Sequence, residues 1–275
     1  MTIDMTKDAI DEPSLVKIGA GGFATVYVVR GGPIAYKQVA HVSDAQAQIL
    51  RHEYDILQEI YLKCNTDSFF ATPRAFAYND PDQNSGGFVS SLPSLSSSAR
   101  RHLAHPIVTP NIMAPFTRAT YAMDRVHALP YDAGMIISKK YLPESLRRNT
   151  VSLCRLYFGK NYTNAPPPKF FNTSNFPLDE QRYFNLFESF PELLDPVNVM
   201  ANGMGEMLSR LHFKACVDAR DVEFVLGGEG GGGFTYFVID YNQVCSYSLY
   251  FIILINAGSS LAQGARCLHT GQGLL

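Results

Sequence analysis

The stretch Ile18-Gly19-Ala20-Gly21-Gly22-Phe23-Ala24-Thr25-Val26-Tyr27, followed by a second β-like run ending Ala35-Tyr36-Lys37, constrains this chain more than any other. Two β-rich runs joined at Gly31-Gly32 read as a hairpin, and the first of them opens on a glycine-rich turn. Glycine carries no side chain to hold a ligand off the backbone, so such a turn lets N–H groups approach phosphate oxygens. Lys37, on the second strand, could bring its ammonium to the same anion. An ordinary hairpin with a glycine-rich corner is the competing reading, because the motif alone is common.

At 275 residues the chain is long enough for one large domain or two small lobes, each with its own core. A net charge of -2 and a pI near 6.4 supply no basic field for nucleic acid and no acidic tail. Cys64, Cys154, Cys216, Cys245 and Cys267 are odd in number and form no CxxC pair, which argues against zinc and for a reducing compartment. Met1 to Pro13 has no apolar core of a secretory signal and reads as a disordered N-terminus. Leu249 to Ile255 is apolar but far short of the roughly 20 residues that span a bilayer. The expectation is an intracellular protein, cytoplasmic or nuclear, with no membrane or nucleic-acid partner.

Leu15 to Ile18, Thr25 to Arg30 and Ile34 to Ala40 read as strands from their β-branched and aromatic content. Ser43 and Gln46 then suggest a capping box, and Ile49, Leu50, Glu53, Leu57, Ile60 and Tyr61 share one helical face. Glu53 is the odd member. A carboxylate in an apolar stripe is costly unless it meets a cation, and Lys37 is the lysine on a neighbouring strand; alternatively Glu53 borders the stripe and is solvated. Phe69 to Tyr78 suggests a strand pair interrupted at Pro73, and Ala119 to Val126 a further strand. Asn79 to Ile112, rich in Ser, Pro, Gly and Asn around Ser94 to Ser98, reads as a disordered insertion in which Arg100-Arg101-His102 is a solvated charge cluster.

The second half is more helical. Helices are expected over Asp132 to Tyr141, Asp179 to Phe187 and Pro196 to Phe213, the last with Asp195 as N-cap and a packed methionine stripe. His212 near its end reads as a packed or capping histidine. Val151 to Phe158 reads as a strand or buried segment. Val217 to Leu226 and Phe234 to Ile239 form a hairpin around a flexible tip, Gly227 to Gly233, which lacks the Lys-Ser/Thr of a Walker loop. Asp240 leaves the second strand, where a carboxylate at a cleft edge could hold a Mg²⁺ that bridges phosphates; an aspartate capping a strand end is the ordinary alternative.

The order of helix ending in Leu211-His212, aspartate-bearing loop, hairpin and exit aspartate resembles the active-site floor of protein kinases. Arg155 to Gly159, Phe170 to Leu178, Leu211 to Ala215, Asp218 to Gly227 and Ile239 to Gln243 are similar to signature segments of a fungal family of unknown function. Its members carry a divergent protein-kinase-like domain and are often labelled zinc finger proteins, although no zinc ligand set is visible here. The resemblance covers roughly Val16 to Val244. It implies an α+β, two-lobed protein-kinase-like fold: a small antiparallel β lobe over 14–126 with the insertion 79–112, and a mainly helical lobe over 127–247 with the hairpin 217–240. It further implies ATP and Mg²⁺ as ligands, with Gly19, Gly21, Val26, Lys37 and Glu53 about the nucleotide and the backbone of Met123 to Arg125 facing adenine. Asp240 would then hold the metal, and Asp218 or Asp221 would accept a hydroxyl proton.

The departures weaken catalysis more than binding. Ala24 replaces a glycine, Phe224 stands where a metal-binding asparagine is expected, and no glycine follows Asp240-Tyr241. The resemblance therefore implies a degenerate, pseudokinase-like module for nucleotide or protein-partner binding, with an active phosphotransferase as the alternative. The 35 residues after Asp240 are too few for the usual remaining helices, so a truncated end and an aggregation-prone, atypical tail over 248–275 are expected.

Overall fold

Alternating β-branched and aromatic residues punctuated by glycine pairs produce the three strands predicted over the first forty residues. The computed structural model describes residues 14–82, 87–90, 106–162 and 172–247. The N-terminal segment Met1 to Pro13, the Ser94 to Ser98 tract, Arg100-Arg101-His102, Phe170-Phe171 and the tail 248–275 with Leu249 to Ile255 lie outside the described residues. The architecture is α+β, in two compact units. One takes the chain through Arg51 together with Ala75–Arg125; the other takes His52–Arg74 and the chain from Val126 onward.

In the first unit, β1 (Leu15–Ala20), β2 (Ala24–Val29), β3 (Ile34–Val39), β4 (Ala75–Asn79), β5 (Phe88–Ser90) and β6 (Thr120–Asp124) form an antiparallel sheet in the order β1-β2-β3-β6-β4-β5. The β2–β3 hairpin turns at Gly31, whose φ of 73° suits glycine, and Gly32 N–H donates to the Val29 carbonyl at 2.9 Å. One face buries Tyr36, Phe76, Ala77 and Ala122 against Val108, Met113 and Phe116. Tyr36 and Phe116 pack with ring centroids 5.0 Å apart. The expected disorder over 79–112 is corrected in part: Phe88–Ser90 pairs with β4, and Pro110–Met113 forms a helical turn, α2, that buries Met113. Polar composition hid these anchors because their apolar residues, such as Phe88, Val89, Val108 and Ile112, are short interruptions in a Ser-, Pro-, Gly- and Asn-rich segment.

Helix α1 (Asp44–Cys64) starts in the first unit and continues into the second. The expected capping box is altered, since Gln46 Oε1 reaches past Ser43 to the His41 N–H at 3.2 Å. Of the predicted strand pair over 69–78 only β4 forms; Ala71 instead makes an isolated bridge to Phe237.

The second unit contains α3 (Tyr131–Tyr141), α4 (Glu180–Phe187) and α5 (Val197–Arg210) with a sheet of β7 (Cys154–Leu156), β8 (Phe176–Leu178), β9 (Glu223–Gly228) and β10 (Phe234–Ile239). The strand order is β10-β9-β7-β8, with β7 and β8 parallel. Asp179 caps α4 by accepting the Arg182 N–H at 2.9 Å, while α5 is capped at Pro196 rather than Asp195 and passes at Leu211–Ala215 into a π-turn. Gly227 and Gly228 belong to β9, which corrects the expected tip. A Cβ on Gly228 would lie 2.1 Å from the Ala128 carbonyl oxygen, so the strand backbone needs glycine for its close approach. Among the described residues no helix is long and apolar enough to cross a membrane.

Candidate functional site

Within the first unit the glycine-rich turn is closed by Gly21 N–H donating to the Ala24 carbonyl at 2.9 Å, and Ala40 N–H donates to the Phe23 carbonyl at 2.8 Å. Gly19 and Val26 are cross-strand partners beside a register irregularity, and Val26 in turn faces Lys37. Lys37 is only 8% exposed, with its Nζ 5.8 Å from the Phe23 ring centroid, so the ammonium sits beneath the turn. A Cβ on Gly22 would meet nothing within 4 Å, and one on Gly21 would meet only the Ala24 carbonyl at 4.0 Å. The folded chain thus makes no steric demand for glycine there. What the missing side chains leave is an uncovered turn, in which the Gly21 N–H is itself spent on the Ala24 carbonyl.

Met123 and Arg125 are also in this unit, at the end of β6. Met123 pairs with Ala35 on one side and Ala75 on the other, and Arg125 N–H donates to the Pro33 carbonyl at 2.9 Å. Arg125 thus has its N–H taken inside the sheet. Its guanidinium reaches the Gly32 carbonyl at 3.2 Å.

In the second unit, Glu53 is buried to 1% exposure on the apolar face of α1, beside Leu50, Leu57 and Ile60, so the solvated alternative is excluded. Its Oε1 accepts the Tyr241 N–H at 3.4 Å, joining residues 188 positions apart. Tyr241 is itself buried and donates its hydroxyl to the Val238 carbonyl at 3.1 Å; burial pushes its phenol well above the usual range. With Tyr241 fixed inward, Asp240 takes a left-handed backbone conformation, φ 65°, and is half-buried. Aspartate tolerates that region better than most residues. The structure therefore brings Glu53 together with the Asp240-Tyr241 step.

The loop preceding β9 is unusually strained for a segment without glycine. Cys216, Ala219 and Asp221 have φ values of 59°, 48° and 62°. Asp218 holds this loop: its Oδ1 accepts the Arg220 N–H at 3.1 Å and the Cys245 N–H at 2.9 Å. A carboxylate oxygen committed to two backbone donors is a staple, so Asp218 acts as a structural clamp on this loop through Oδ1. Asp221 is exposed, and its Oδ2 accepts Gln243 Nε2 at 2.8 Å. Phe224 packs edge-on against Phe70, centroids 4.8 Å apart, and offers no metal-binding atom. His212 is a packing residue, with Nδ1 3.0 Å from the Tyr247 hydroxyl.

Sequence reasoning assigned no role to Glu223. It pairs with Ile239 across the hairpin, forms an ion pair with Arg155, and accepts Asn175 Nδ2 at 2.8 Å. Burial raises its carboxyl above the usual value; Arg155 and Asn175 oppose this, while the charges of Asp240 and Asp221 add to it. The signal was the joint presence of Arg155 and Glu223 in segments of opposite charge and similar pattern, legible only once β7 and β9 are known to be neighbours.

Among the described residues no group of three or more His, Cys, Asp or Glu side chains could hold a metal ion. No family model, no curated protein and no solved structure matches this chain.

Proposed function

We propose that the chain is a degenerate, protein-kinase-like module that binds a nucleotide with Mg²⁺ and has lost efficient phosphoryl transfer. The observation that carries this reading is Glu53, a buried glutamate whose carboxylate holds the backbone beside Asp240. Burying a carboxylate in an apolar stripe is costly, so its place beside the Asp240-Tyr241 step calls for a compensating role. Kinase-like nucleotide binding supplies one, since that chemistry uses a helix glutamate and a metal-binding aspartate. Within the first unit, the turn over the buried Lys37 offers an uncovered surface and a cation suited to a phosphate. Loss of transfer is supported by Phe224 and by the commitment of Asp218 to the loop.

A second reading, a phosphotransferase on a small-molecule or protein hydroxyl, is favoured by Asp221. Exposed and held by Gln243, it could accept the proton as the hydroxyl oxygen attacks the terminal phosphorus and the nucleoside diphosphate leaves.

A thermal-shift titration with ATP and Mg²⁺ tests both. A hundredfold excess over Kd should stabilise the wild type by about 2.7 kcal/mol. Gly21→Ala, Lys37→Ala and Asp240→Asn should each lose the shift. No shift in the wild type removes both nucleotide readings, whereas acceptor phosphorylation abolished by Asp221→Asn replaces the first by the second.

A further inference from the structure

The second unit contains a feature that nucleotide binding does not use. Between α4 and α5 lies an open groove of about 590 Å³ walled by Phe158, Phe184, Phe187, Pro196, Val197 and Ala201. Its lining is chiefly apolar, and Phe184 is 43% exposed. Leu193 and Val199, on the chain that frames it, are also exposed large apolar side chains. Such clustering marks interaction surfaces, whereas apolar residues scattered singly need no explanation.

The charge around the groove selects the occupant. From Tyr183 to Ser209 the chain carries Glu188, Glu192, Asp195 and Glu206 and no lysine or arginine. Glu180, exposed at the start of α4, lines the groove itself. Glu206 is paired with Arg210, while Glu188 and Glu192 are exposed where α4 ends and the turn to α5 runs. The nearby Arg182 is turned onto Tyr141, Tyr162 and Phe176, with its guanidinium 5.2, 4.9 and 5.4 Å from their ring centroids. Its charge is stacked on these rings rather than offered at the groove, and the exposed Lys160, which follows the lining Phe158, has its Nζ over the Tyr157 ring, 4.8 Å from the centroid. An apolar floor between two helices with an acidic frame fits the apolar face of an amphipathic helix. The acidic frame calls for basic residues on the flanks of that helix.

We propose that the α4–α5 groove is a docking site for a short amphipathic helix of a partner protein, apolar on one face and flanked by lysine or arginine. Rim charges act through long-range attraction, so the association is sensitive to salt beyond the Debye length of roughly 10 Å at 0.1 M. The proposal does not require nucleotide, so its outcome is separable from that of the ATP titration.

The test is fluorescence anisotropy on the full chain without nucleotide. The probe is a labelled synthetic helix with leucines at i, i+3, i+4 and i+7 and lysines on both flanks; its twin has glutamates instead. Saturable binding of the lysine peptide is expected, weakened about tenfold or more by the glutamate twin and by added salt. Ala201→Arg, an exposed position where arginine is a good helix former, should keep the circular dichroism spectrum and lose the peptide. Asn198→Lys should weaken it through charge. Equal binding of both peptides, undiminished binding to Ala201→Arg, or no binding to the wild type would each overturn the proposal. So would concentration-dependent self-association that Ala201→Arg abolishes, because the occupant would then be a second copy of the chain.

Discussion

The two classes of glycine give the sharpest stability prediction. Gly228 lies in β9, and a Cβ there would sit 2.1 Å from the Ala128 carbonyl oxygen and 3.1 Å from its carbon. Both obstacles are backbone, so no rotamer change relieves them. Reaching a tight contact of about 3.4 Å requires a displacement of roughly 1.3 Å. That movement strains the Gly228 N–H bond to the His127 carbonyl, 2.9 Å, and the register that pairs Gly228 with Phe234. Overpacking of this kind costs about 1–3 kcal/mol, and a weakened backbone hydrogen bond adds about 1 kcal/mol. Gly228→Ala should therefore lose roughly 2–4 kcal/mol and lower Tm by roughly 5–15 °C. Gly21→Ala, whose Cβ meets nothing nearer than 4.0 Å, should stay within about 0.5 kcal/mol of wild type. Calorimetric melts of both variants beside wild type make the comparison. An unchanged Gly228→Ala melt, or equal destabilisation by Gly21→Ala, would show that steric demand does not separate these glycines. The phosphate-cradle argument would then lose its basis.

Two further outcomes follow from the second unit. Asp218→Ala removes the acceptor for Arg220 N–H and Cys245 N–H and should cost about 1–3 kcal/mol in urea unfolding; a change within experimental error would show that Asp218 does not clamp the loop. Glu223, half-buried, titrates above its ordinary 4.5 in the folded chain because burial outweighs Arg155 and Asn175. A carboxyl raised on folding contributes stability that is fully present below the unfolded value and lost as pH rises through the folded one. Urea midpoints of the wild type should thus fall relative to Glu223→Gln as pH rises from about 4.5 through the raised value. A wild-type midpoint that rises relative to Glu223→Gln over that range would reverse the assignment.

Local signals account for much of what was legible. The strands Leu15–Ala20, Ala24–Val29 and Ile34–Val39 follow from β-branched composition and a glycine-paired turn, which act over a few residues. The helical face that Glu53 shares with Leu50 and Leu57 was readable from the period, but whether it was buried or solvated at the border of that face was decided by the fold. Nor was the role of Asp218 readable: its donors come from Arg220 and from Cys245, the second 27 residues away, and only the closed loop brings them together. The same holds for Arg125, whose N–H is consumed by Pro33, and for Phe88–Ser90, a strand made by pairing with β4 rather than by its own composition.

By itself the sequence determined which residues could be extended, helical or turned, and which charges stood in apolar surroundings. Those properties depend on neighbours along the chain. Tertiary structure decided which donors and acceptors were already satisfied, which glycines were needed for close approach, and which carboxylates were near one another. Such facts arise from contacts between segments far apart in sequence, and no local periodicity encodes them.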